Sequence, residues 1–114
     1  MKSVVVTRTH SATYADPISF VKGERVEVGK ADTEFPNWYW CRNGSGKEGW
    51  VHASLLVATT RQTVAACNYN AQELTVAAGQ EATVLKQLDG WLYVRLGGGE
   101  EGWIPESCVR SAPT

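Results

Sequence analysis

Cysteine is scarce in this chain, with three in 114 residues. They are Cys41, Cys67 and Cys108, and no two stand at the spacing of a zinc knuckle. So small and odd a set fits reduced thiols better than a secreted disulfide framework. Charge of one sign is also lacking. The 11 basic and 12 acidic residues leave a net charge of -1, with no basic block of the kind that holds nucleic acid. The apolar run Val4-Val5-Val6 is too short for a signal-peptide core or a membrane span, so the expectation is a cytoplasmic protein that neither crosses nor binds a membrane. Gly97-Gly98-Gly99 lacks the lysine and helix that make a phosphate loop, and reads as a hairpin turn. The only histidines are His10 and His52, and nothing in their spacing sets a base beside a thiol. The expectation is therefore no enzyme, no cofactor and no metal.

No window carries a helical period, and strand signals dominate. Val4-Val5-Val6, Arg25-Val26-Glu27-Val28, Trp38-Tyr39-Trp40-Cys41 and Gly49-Trp50-Val51 are short, rich in β-branched or aromatic residues, and bounded by turn formers. Asn43-Gly44 predicts a tight hairpin, because both residues tolerate positive φ. The chain also repeats itself. Ile18-Ser19-Phe20, Gly23-Glu24, Trp38 and Glu48-Gly49-Trp50-Val51 return as Leu74-Thr75-Val76, Gly79-Gln80, Trp91 and Glu101-Gly102-Trp103-Ile104. From Gly23 to Gly79 is 56 residues, and from Trp38 to Trp91 it is 53. The lost three residues fall in a loop, where deletions are tolerated. The repeat predicts two small domains of one fold, 1–58 and 62–110, with a short linker near 58–62 that lacks glycine and proline.

Each copy resembles a Src-homology-3 (SH3) domain, a five-stranded antiparallel barrel. The second carries Ala65-Ala66-Cys67-Asn68-Tyr69, Glu73-Leu74, Trp91, Glu101-Gly102-Trp103-Ile104-Pro105 and Cys108-Val109. The first carries Ile18-Ser19-Phe20, Gly23-Glu24, Trp38-Tyr39, Glu48-Gly49-Trp50-Val51 and Leu55-Leu56. With Tyr14-Ala15-Asp16-Pro17 and Glu34-Phe35-Pro36-Asn37-Trp38, it is also similar to small bacterial variant SH3 proteins. The resemblance implies an all-β chain of two tandem SH3-like five-stranded barrels.

It further implies an aromatic groove for an extended peptide, built from five positions. In the second copy these are Cys67, Tyr69, Trp91, Pro105 and Cys108; in the first they are Thr7, Thr9, Trp38, His52 and Leu55. The second copy is therefore expected to bind through Tyr69, Trp91 and Pro105, with Glu73 as cation partner, and to hold Cys67 near Cys108. Aromatic anchors are worth roughly 2 kcal/mol each, so losing two of five leaves a generic proline-rich peptide at hundreds of micromolar or weaker. The first copy is expected to take a cationic group on Trp38, between Asp16, Asp32 and Glu34. Trp40, Trp50 and Trp103 read as packing residues. The function implied is non-catalytic recognition or scaffolding of an unidentified protein or peptide. Two alternatives compete with it: a structural module whose groove residues pack between domains or in a homodimer, and a bacterial cell-wall-binding module.

Overall fold

A computed structural model of the chain describes residues 2–13 and 16–112. Tyr14 and Ala15 of the expected Tyr14–Pro17 motif lie outside them, as do Met1 and the last two residues. The described chain is all-β. Its strands are β1 (Lys2–Val6), β2 (Ser19–Phe20), β3 (Arg25–Ala31), β4 (Trp38–Asn43) and β5 (Glu48–His52), then β6 (Gln62–Val64), β7 (Tyr69–Asn70), β8 (Glu81–Leu88), β9 (Trp91–Leu96), β10 (Glu101–Pro105) and β11 (Val109–Ser111). Short 3₁₀ turns at Ala53–Leu55 and Glu106–Cys108 follow β5 and β10. No helix among these residues is long and apolar enough to cross a membrane.

The compact units are not the contiguous halves 1–58 and 62–110. One unit, here the split unit, joins Met1–Thr13 to Glu73–Thr114; the other, the inserted unit, is Tyr14–Gln72. The split unit holds a five-stranded sheet in the order β10-β9-β8-β1-β11. The inserted unit holds a four-stranded sheet, β5-β4-β3-β6, and the pair β2-β7. Each sheet thus takes its first strand from the other repeat. β1 lies between β8 (Val4 opposite Ala82, Val5 opposite Glu81) and β11 (Val5 opposite Arg110, Val6 opposite Val109). β6 runs along β3, with Val64 opposite Arg25 and Thr63 opposite Val26.

The backbone shows that β1 and β6 fill equivalent places. Val6 donates to the Gln80 carbonyl and accepts from Gly79; Ala65 donates to the Glu24 carbonyl and accepts from Gly23. The stretch expected as a linker instead belongs to the inserted unit. It leads from the first 3₁₀ turn back to β6, where Val57 donates to the Val64 carbonyl and Leu56 bridges Ala65. The chain passes between units after residues 13 and 72, within the long loop that precedes β3 in one repeat and β8 in the other. Loop tips are where insertion and permutation of a domain cost least.

The repeats share finer features. Both β3 and β8 shift register, between Val28 and Ala31 and between Val84 and Lys86, which bends each strand as a bulge does. The predicted Asn43-Gly44 tight turn is longer than expected, and Asn43 ends β4 as a buried anchor. Its side-chain oxygen accepts from the Ser45 and Lys47 amides, its Nδ2 donates to the Ser19 carbonyl, and Gly46 takes the positive φ of 87°. The split unit's core is Val4, Val6, Leu74, Val76, Ala82, Leu92, Val94, Leu96 and Ile104. Two of these come from β1, so the split unit's core draws on both repeats. The inserted unit buries Ile18, Phe20, Val26, Val28, Cys41, Val51, Leu55 and Ala65.

This arrangement predicts where core damage appears. Val6 is 1% exposed, and Val6→Ala should cost about 2 kcal/mol. By amide hydrogen exchange the lost protection should fall on β8, β9 and β11, and β3–β5 should keep theirs. Contiguous barrels would give the reverse pattern.

Candidate binding grooves

Each candidate groove inherits the exchange. Its first-strand side chains come from one repeat, and its tryptophan and 3₁₀ turn come from the other. The backbone also moves the expected register by one residue. Thr7 donates to the Cys108 carbonyl as Ala66 does to the Leu55 carbonyl, so Thr7 matches Ala66, not Cys67. Arg8 then matches Cys67 and His10 matches Tyr69. The cross-loop pairs agree: His10 bridges Val76, and Tyr69 lies opposite Phe20. Val4-Val5-Val6 offers no landmark that would have set this register in the sequence.

The split unit's five positions are therefore Arg8, His10, Trp91, Pro105 and Cys108. Trp91 opens β9 opposite Pro105, which closes β10. The indole is half-buried, Pro105 is buried and Cys108 is 8% exposed. The His10 ring meets Trp91 edge-on at 5.9 Å, and its Nε2 lies 2.8 Å from Oε1 of Glu73. Arg8 is exposed and donates from Nη2 to the Ser107 carbonyl at 2.9 Å, and the Thr7 hydroxyl donates to the Cys108 carbonyl at 3.1 Å. Further along the same face, Tyr93 and Trp103 pack with centroids 5.2 Å apart. Burial, then the Glu101 carboxylate, pushes the Tyr93 hydroxyl's pKa up.

The inserted unit's five are Cys67, Tyr69, Trp38, His52 and Leu55. Tyr69, expected beside Trp91 and Pro105, belongs here. Its ring packs on Phe20 at 5.3 Å, and its hydroxyl donates to the Trp50 carbonyl at 2.8 Å. Trp38 is 4% exposed and meets His52 edge-on at 5.2 Å. That leaves the indole too little open surface to receive the cation expected there. His52 is itself fixed, with Nδ1 accepting from the Ser54 amide at 3.1 Å. The expected acids take other roles. Asp16 pairs with Lys47 at 2.9 Å, Asp32 accepts from the Glu34 amide at 2.8 Å, and the Glu34 side chain is exposed. Trp40 and Trp50 are half-buried and stack edge-on at 5.2 Å, with the Trp40 indole N–H donating to Glu48.

All three cysteines are free, and Cys67 and Cys108, expected as neighbours, belong to different units. Cys41 lies on the core side of β4, 1% exposed, and burial pushes its pKa up to about 12 from 9.0. The described residues hold no group of three or more His, Cys, Asp or Glu able to grip a metal ion.

A thiol raised in this way stabilises the fold below the unfolded value of 9.0 and loses that contribution as pH climbs toward 12. The inserted unit should therefore lose stability through that window, at up to about 1.4 kcal/mol per pH unit. Denaturant melts of the wild type and Cys41→Ala across that range should show a steeper loss in the wild type.

Comparison with curated proteins and with solved structures found no match to the chain. A family is nevertheless established, because the variant SH3 domain matches twice, over residues 4–58 and 60–111. Those two stretches follow the sequence repeat, with one first strand at the head of each, while the folded units trade those strands. With both matches spanning nearly its whole length, the chain belongs to the variant SH3 domain family as a tandem pair.

Proposed function

We propose that the chain is a non-catalytic recognition module in which the split unit takes an extended peptide across Trp91, and the inserted unit serves as structure. Domains of the SH3 type are, in general, modules that bind proteins or peptides. The observation that carries the reading is the contrast between the two matched tryptophans. Trp91 faces the rigid, flat ring of Pro105 and keeps part of its indole open. Trp38 faces His52, meets its ring edge-on and is only 4% exposed. A half-open aromatic beside a proline is a suitable anchor for an interface, and a covered one is a packing residue.

This supports the structural reading for one half of the chain only. The buried Trp38–His52 pair is the observation that gives the inserted unit its structural role. The split unit keeps fewer aromatics than a full groove of this type, and the expected affinity for a generic proline-rich peptide stays at hundreds of micromolar or weaker.

Two substitutions separate the roles. Trp91→Ala should leave the amide spectrum dispersed and abolish peptide-induced shifts around β9 and β10. Trp38→Ala should cost about 3–5 kcal/mol and melt β3–β5 first. Peptide binding lost with Trp38→Ala while both units stay folded would reverse the assignment.

A further inference from the structure

We infer that the split unit's groove selects a peptide bearing an acidic side chain, held by Arg8; this rests on the peptide-groove reading above. The argument begins with the one-residue register shift. It places a guanidinium and an imidazole where the resemblance implied Thr7 and Thr9, and where the family is expected to carry two tyrosines. The acid that would attract a cationic ligand is already engaged. Glu73 Oε1 lies 2.8 Å from His10 Nε2, and the Glu73 side chain is only 12% exposed. An incoming arginine or lysine would have to displace His10 from that carboxylate, and His10 also packs on Trp91.

Arg8 is in the opposite condition. It is exposed, no carboxylate among the described residues lies within ion-pair distance of it, and its hydrogen bond uses one N–H of five. That bond to the Ser107 carbonyl fixes the guanidinium beside the 3₁₀ turn that ends in Cys108, at one end of the groove. A carboxylate can take two of the remaining N–H groups in parallel, which gives geometry as well as attraction. The acidic side chain therefore belongs at the Arg8 end, with the apolar part of the peptide across Trp91 and Pro105.

The test uses the full chain and three peptides with blocked termini. They share one proline-rich frame and carry Glu, Gln or Lys at the variable position, which is scanned along the frame. Binding is followed by amide and indole N–H chemical shifts in low salt. The Glu peptide should bind about tenfold more tightly than the Lys peptide at its best position, and added salt should shrink the difference. Arg8→Gln should bring the Glu peptide to the level of the Gln peptide. Arg8→Lys should recover only part of the preference, because an ammonium lacks the fork. A Lys peptide that binds as tightly as the Glu peptide, or a Glu preference that survives Arg8→Gln, overturns this inference and leaves the groove reading standing. If none of the three peptides moves the Trp91 signals, the groove reading fails and takes the inference with it.

Discussion

The insertion of β1 between β8 and β11 is the constraint on which the rest of the split unit depends. Without it the five-stranded sheet falls into β10-β9-β8 and a lone β11. Two polar strand edges would then be open, a condition that folded proteins cover or block. The apolar face needs β1 as much as the edges do. Val4 and Val6 alternate with outward residues and meet Leu74, Val76 and Ile104 in one cluster. A domain of this size has little stability to spare, so one strand that closes both the ladder and the core decides whether the unit exists.

The same constraint sets the chemistry on the surface. Because β1 supplies the ascending arm of the loop, Arg8 and His10 accompany Trp91, and Tyr69 goes to the inserted unit with β7. Neither groove is the one its own repeat would have built. The split unit gains a charged rim beside an open tryptophan. The inserted unit gains Tyr69, but its tryptophan is buried and its tyrosine hydroxyl is used on the Trp50 carbonyl. Trading one strand between two copies of a fold thus redistributes groove residues without altering any of them.

Much of this was legible in the sequence, for physical reasons. The repeat showed because turns need glycine at fixed places: Gly23 and Gly79, and Gly46 and Gly99, all sit at positive φ in matched turns. The strands showed because their inward positions alternate with polar ones. Which first strand joins which sheet was hidden. Val4-Val5-Val6 and Thr63-Val64-Ala65 are both short, β-forming and nearly featureless, and either can lie along β3 or β8. Local pattern fixes that a strand forms; the choice of sheet depends on loop geometry and on core volume summed over distant residues. The difference between Trp38 and Trp91 was hidden for a related reason. It lies in how deeply each ring is buried, which depends on everything packed around it and appears only once the chain is folded.

Cross-strand backbone NOEs at β1 test the account most directly, since a few contacts distinguish the two ways of assembling the chain. The exchanged arrangement predicts contacts from Val4 and Val5 to Glu81 and Ala82 on one side, and to Arg110 and Ser111 on the other. It also predicts contacts from Thr63 and Val64 to Arg25 and Val26. Contacts from Val4 and Val5 to Arg25 and Val26 instead, with Thr63 and Val64 moved to Glu81 and Ala82, would show two contiguous barrels and contradict it.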